Sequence, residues 1–195
     1  KSIIGGEKAF NGIKNYILMF QNSYFREAFF HTIEFTVIYE IGANVLGLTF
    51  ALMLYRSSRF ANFCRTMLFV PFTTALTSAA IVWSYVYTDV ITPLFQIPSP
   101  LGQSDHVVFG MAVIAIWRDM GYCMLIYIAG LQSIPMDYYE AAKVAGANSF
   151  QQFRHITLPM LVPAFTSNVT LLLAWGLKCF RSEERRVGKE CLEWW

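Results

Sequence analysis

Three ionisable side chains sit where the sequence is otherwise apolar. Glu40 lies in "FTVIYEIGANVLGLTFALML", and the neighbours Arg118 and Asp119 lie in the run from Val107 to Leu131. In hydrocarbon such groups are costly, and they face a protein interior or an aqueous path for a polar solute. Neutral hydrogen-bonding groups recur around them at helical spacing. Thr36, Glu40, Asn44 and Gly47 share one helix face, and Thr73, Thr77, Ser84 and Thr88 share another. Ser167, Thr170 and Trp175 supply a third set, while Trp83, Tyr87 and Trp117 add flat aromatic faces. Glu40, Asn44, Thr77, Trp117 and Arg118 are the candidate path-lining residues. The same residue types also bond membrane helices to one another, and aromatics near span ends anchor at the interface. The sequence alone does not choose. Arg118 and Asp119 are adjacent, so they are expected on different faces, with Asp119 in reach of Tyr122 or Cys123.

Other chemistries find no residues to support them. Cys64, Cys123, Cys179 and Cys191 are isolated, with no Cys-x-x-Cys pair and no histidine at ligand spacing. A disulfide framework or metal site is not indicated. "VGKE" near the C-terminus lacks the leading glycine and the following Ser or Thr of a phosphate-binding loop. The net charge of +2, without a basic stripe, gives no nucleic-acid footprint.

The elements that must carry these residues follow from composition. Of 195 residues only 14% are charged and 55% are hydrophobic, whereas soluble domains have about a quarter charged. Four stretches reach the roughly 20 residues that cross a bilayer as helix: Phe35–Leu54, Met67–Tyr87, Val107–Leu131 and Pro159–Leu177. The expected fold class is therefore all-α, a polytopic transmembrane helical bundle with four recognisable spans.

Arg56, Arg59 and Arg65 follow the first span, and Lys143 and Arg154 follow the third. The link Thr88–His106 has no Lys or Arg but carries Asp89 and Asp105. Basic residues mark the cytoplasmic side, so the first and third links are expected inside and Thr88–His106 outside. Residues 1–34 then form an extracytoplasmic N-terminal segment, 35–180 the transmembrane core, and 181–195 a charged tail. The tail's Arg181, Arg185, Arg186 and Lys189 oppose the charge rule, so it reads as a non-native continuation and the chain as a fragment.

One polar interruption, "YYEAAKVAGANSFQQFRHITLP" from Tyr138, lies in the third link. Pro135 breaks the chain. Asp137 with Glu140 reads as a capping box, Gly146 as a left-handed helix stop, and Ser149 with Gln152 as a second cap. Two short helices at an angle are expected, with alanines making a slim surface that another protein can approach closely.

Glu140-Ala141-Ala142, three residues, Gly146, nine residues, Ile156, then Leu158-Pro159 resembles the EAA loop of binding-protein-dependent ABC importer permeases. The longer run "AGLQSIPMDYYEAAKVAGANSFQQFRHITLPML" is similar to the carbohydrate branch, of maltose and glycerol-phosphate type. Ala145 departs from it, where that branch often has aspartate. The resemblance implies a type I-like permease fold in the bacterial cytoplasmic (inner) membrane, multi-pass, with sugar transport as its work. It implies that the loop 135–159 docks on a separate cytoplasmic ATP-binding subunit, through Glu140, Ala141, Ala142, Gly146, Ile156, Leu158 and Pro159. It also implies a second permease subunit and an extracytoplasmic solute-binding protein. The chain itself is then a transport subunit without a cofactor, ATP being bound by the partner, and it carries no enzyme activity of its own. For a sugar, hydroxyl-binding groups plus Trp83, Tyr87 and Trp117 suit the path. An ion-coupled secondary transporter, with Glu40 or Asp119 as coupling carboxylate, is the alternative.

Overall fold

A computed structural model describes residue 21 and residues 23–96, 99–102 and 106–187, with the backbone alone at 24, 76, 77, 102 and 179–187. Its regular elements are helical throughout the described residues. Helix α1, Ser23–Leu54, begins well before the expected Phe35, because Phe25, Phe29, Phe30 and Ile33 prolong the apolar surface past the charged residues among them. Its C-terminal carbonyl at Leu54 accepts from the Arg65 guanidinium, Nε at 3.0 Å. That bond folds the link back and places a cation at the negative end of the helix. Ser58 caps α2, Arg59–Phe69, by accepting from the Ala61 amide at 3.0 Å.

The second apolar stretch is not one straight helix over Met67–Tyr87. Its two arms, Arg59–Thr73 and Ser78–Phe95, meet at 104°. Pro71 tightens Val70–Thr73 into a 3₁₀ turn, and the Thr73 and Thr74 hydroxyls donate to the Val70 and Pro71 carbonyls. These side chains satisfy the helix end, and Thr74 and Ala75 are extended. The second arm runs from α3, Leu76–Tyr85, through a π-turn at Val86–Ile91 into α4, Thr92–Phe95.

Helix α5, Val107–Gln132, is the central post. α1 packs along it, α2 crosses it, and the last helix, α9, Val162–Val187, packs against both α1 and α5. Buried Tyr39, Ala43, Cys123, Met124, Tyr127 and Leu172 form the middle of this three-helix core. Small residues allow the close crossings. A Cβ on Gly121 would run into the Leu68 backbone carbonyl, and one on Gly47 would stand 2.7 Å from Cys123 Cβ.

Between α5 and α9 lie α6, Met136–Val144, then α7, Ser149–Gln152, a π-turn at Phe153–Thr157, and α8, Leu158–Met160. Both π-turns stand immediately before a residue–proline pair, Thr92-Pro93 and Leu158-Pro159. Proline has no N–H for the ladder and its ring crowds the carbonyl four residues back, and widening the preceding turn relieves both. The last long helix starts at Val162, three residues after the expected Pro159. It meets the segment Ser149–Met160 at a bend of 57°. It runs on through Val187, across the expected start of the tail, and residues 188–195 lie outside the described set. Among the described residues two helices, Phe25–Leu54 and Val107–Gln132, are long and apolar enough to cross a membrane, and up to four spans result if each bent pair is one.

Candidate functional site

The loop between α5 and α9 is built from its caps. Pro135 stands at the N-cap of α6 without a side-chain bond, so the expected Asp137–Glu140 capping box does not form. The proline sets the entry itself, and Asp137 moves into the first turn, where its charge suits the helix dipole. At the other end Gly146 has φ +79°. The Gly146 amide donates to the Lys143 carbonyl at 3.0 Å and the Ala147 amide to the Ala142 carbonyl at 2.9 Å. This pair of bonds is a Schellman turn, which requires the left-handed residue there.

The second cap sits one residue earlier than the sequence spacing suggested. Asn148, not Ser149, accepts from the Gln151 amide at 2.8 Å, and the Gln151 side chain accepts from the Asn148 amide at 2.8 Å. Asparagine is as good an N-cap as serine, and the turn after Gly146 brings Asn148 to the first free amides. Gln152 then donates to the Ala147 carbonyl at 2.9 Å, pinning the turn.

The result is an angled pair of short helices with an open groove of about 340 Å³ between them, lined by Ala142, Gly146, Ala147, Gln152, His155 and Ile156 among others. Glu140, Ala141, Leu158 and Pro159 are exposed, and Ala142 and Ile156 are half-buried. Val144 is 91% exposed and Phe150 68%. These two apolar side chains stand bare on an otherwise polar link. Nothing stands within 4 Å of where a Cβ on Gly146 would be, so that position is limited by backbone conformation alone.

Within the spans, the candidate path residues resolve differently. Arg118 and Asp119 are not kept apart. Arg118 Nε donates to Asp119 Oδ1 at 2.7 Å and its terminal nitrogen to Oδ2 at 3.0 Å. The long guanidinium arm curls round the helix to its neighbour, which simple face geometry ignores. Asp119 is fully buried, and it also accepts from the Tyr39 hydroxyl on α1, rather than from Tyr122 or Cys123. Buried charges persist when paired and hydrogen-bonded in this way.

Glu40 and Asn44 do share a face, and it meets α5. Asn44 Nδ2 donates to Glu40 Oε1 at 3.0 Å, and Asn44 Oδ1 accepts from the Tyr127 hydroxyl at 2.6 Å. Thr36 is buried against Gly176 of α9. For Thr36 and Asn44 the contacts made are bonds and packing between helices. Thr77's side chain lies outside the described set, and the 104° break separates it from Thr73. Ser167 and Thr170 are exposed and bond back to their own helix.

The aromatics gather into two groups. Trp83 stands 5.6 Å from Trp117 and 5.4 Å from Tyr87, centroid to centroid. Tyr87 is buried and donates to the Gly110 carbonyl at 3.0 Å, so it is a packed residue and not an interfacial anchor. Trp175 joins Phe72 and Tyr122. Sequence reasoning missed Tyr39, Tyr127 and Asn168, whose amide donates to the Cys123 carbonyl at 3.3 Å. Asn168 alone carried a signal, as the one amide in the fourth apolar stretch.

Comparison with known proteins agrees with this architecture. The family model described as "Binding-protein-dependent transport system inner membrane component" matches residues 43–180. The chain is 31% identical over 180 residues to the probable starch degradation products transport system permease protein AmyD of Thermoanaerobacterium thermosulfurigenes, covering 89% of this chain and 62% of that one. It is 32% identical over 188 residues to the arabinooligosaccharides transport system permease protein AraP of Bacillus subtilis, covering 91% and 60%. Its fold matches a crystal structure of a bacterial ABC transporter involved in the import of the acidic polysaccharide alginate. That match has a TM-score of 0.74 at 20% identity, over 88% of this chain and 64% of that one. The chain thus spans about 60% of the length of the curated relatives it matches. Its paired helices, its central post and the 138 positions of residues 43–180 leave one assignment: the chain belongs to the family of inner-membrane components of binding-protein-dependent transport systems, multi-pass helical proteins of the cytoplasmic membrane.

Proposed function

We infer that the chain is part of the transmembrane permease subunit of an ATP-driven importer, moving a sugar or related small polar solute inward. The loop 135–159 is the contact with a separate cytoplasmic ATPase, which binds the ATP. The observation that carries this reading is the loop itself, a doubly capped pair of short helices with Val144 and Phe150 bare and Glu140 exposed. Such a surface suits docking, and its stiff caps suit transmission of a push. The relatives support the sugar class, being permeases for starch degradation products and arabinooligosaccharides. The related alginate transporter was also crystallised with a ligand-bound periplasmic protein, which suits a solute-binding protein as a partner here. A second permease subunit completes the path.

The ion-coupled alternative has no support among the relatives. Asp119 is moreover committed to Arg118 and Tyr39. The test is reconstitution of the full-length protein with its ATPase, second permease and binding protein in proteoliposomes. Uptake of radiolabelled maltotriose, arabinotriose and trehalose is then measured. ATP-dependent uptake of at least one is expected. Uptake driven by an ion gradient without ATP, or no uptake of any, overturns the reading.

A further inference from the structure

We propose that Tyr139 and Thr157 form a clamp that makes the two halves of the coupling loop move as one body and delivers that motion to the foot of α9. The proposal rests on the transport reading above and deepens it. The Tyr139 hydroxyl and Thr157 Oγ1 are 2.9 Å apart, joining α6 to the π-turn across the Gly146 turn. Among the described residues it is the one side-chain hydrogen bond from α6 to any residue beyond Gly146.

The behaviour of the other threonines makes this contact distinctive. Thr32, Thr36, Thr49, Thr66 and Thr170 each donate to a carbonyl four residues back in their own helix. That is the default for a helical threonine. Thr157 instead turns its hydroxyl to another element, and it is buried at 5% exposure in an otherwise open loop.

From Thr157 the connection continues inward. Its carbonyl accepts from the Leu161 amide at 3.0 Å, and the Leu161 carbonyl accepts from Phe165 in α9 at 2.9 Å. Leu161 is buried and lies against Gly130 near the end of α5, as does Ala164. A push received on α6 therefore reaches α9 and the end of α5 through Thr157. Among the described residues no other side-chain hydrogen bond ties α6 to the π-turn, so without the clamp the turn at Gly146, pinned by Gln152, carries the load, and it bends more readily than a cross-braced pair. Tyr139 and Thr157 are positioning residues: the docking surface stays intact when their bond is lost.

The experiment compares wild type, Tyr139→Phe, Thr157→Val, Thr157→Ser and the double variant Tyr139→Phe/Thr157→Val in the reconstituted full-length complex. The probe is whichever of maltotriose, arabinotriose and trehalose the wild-type complex takes up. Two quantities are read: ATPase subunit co-purifying with the permease, and saccharide moved per ATP hydrolysed. Tyr139→Phe and Thr157→Val are expected to hold the ATPase at wild-type level while saccharide moved per ATP falls about five-fold, the scale of one hydrogen bond lost. Thr157→Ser, which keeps the hydroxyl, restores the ratio. The double variant is no worse than either single one, because both remove the same bond. Wild-type coupling in both single variants overturns the clamp, and so does a parallel loss of ATPase binding. A wild-type complex that shows no ATP-driven uptake instead overturns the transport reading, before any variant is compared.

Discussion

The Tyr39 hydroxyl donates to Asp119 Oδ2 at 2.5 Å, across the seam between α1 and α5 and 80 positions away in the chain. With Arg118 closing on both oxygens of the same carboxylate, one buried group is shared by a cation and a phenol. Removing one charge strands the other. Arg118→Met is expected to destabilise the full-length protein by about 3–5 kcal/mol, whereas Arg118→Met with Asp119→Leu costs less than that single change. Thermal unfolding in detergent checks the order. A double variant less stable than Arg118→Met would show that Asp119 stabilises the fold through Tyr39 even without its cation.

Gly121 and Gly146 are expected to fail in opposite ways. At Gly121 a Cβ meets the Leu68 backbone, so Gly121→Ala separates α2 from α5 and costs about 1–3 kcal/mol, read as lower yield of folded protein.

At Gly146 there is open space but φ is +79°. Gly146→Val is expected to insert normally, with co-purifying ATPase reduced about tenfold, because a side chain there costs about 1–2 kcal/mol and undoes the Schellman turn. Glu140→Lys reverses an exposed charge and is expected to weaken ATPase binding without changing the fold. Wild-type ATPase binding in both variants would leave the loop as a mere connector.

Glu40→Gln keeps the bond to Asn44 and removes the charge. Expression is expected to be unchanged, because an amide oxygen can still accept from Asn44 Nδ2. Saccharide uptake is expected to fall several-fold if the carboxylate faces the path, and to stay at wild type if its part is limited to bonding α1 to α5 through Asn44.

Orientation is open to direct labelling. Cysteine at exposed Ser58 should be protected from a membrane-impermeant reagent in intact cells, and one at exposed His106 should react. The reverse pattern turns the loop away from the cytoplasm and removes the docking reading.

Much of the fold was legible because hydrocarbon is an undemanding solvent to read. Long apolar runs at Phe35–Leu54 and Val107–Leu131 could only be helices there, and α1 and α5 are. The loop was legible because Gly146 carries a backbone requirement that no other residue type fills so easily. The 104° break was less so. Pro71 is tolerated in membrane helices, and the two extended residues after it, Thr74 and Ala75, have no composition that marks them. The buried bonds were hidden for a different reason. Tyr39 and Tyr127 count as apolar in a hydropathy pattern, and what their hydroxyls meet is decided by a neighbour on another helix. The curl of Arg118 back to Asp119 was lost because face geometry treats side chains as short.

On the proposed transport reading, the 57° bend at Leu161 sets how a displacement of the loop would reach α9. A displacement along the axis of Ser149–Met160 projects only roughly half its length along α9, and the larger part falls across it. A push on the loop would therefore arrive chiefly as a sideways shift of the foot of α9, which tilts the helix if its far end is held, and only secondarily as a piston stroke. A tilting helix opens one end of a passage while closing the other, whereas a sliding one changes neither. On that reading the bend would act as a crank, and straightening it would leave the stroke while abolishing the swing.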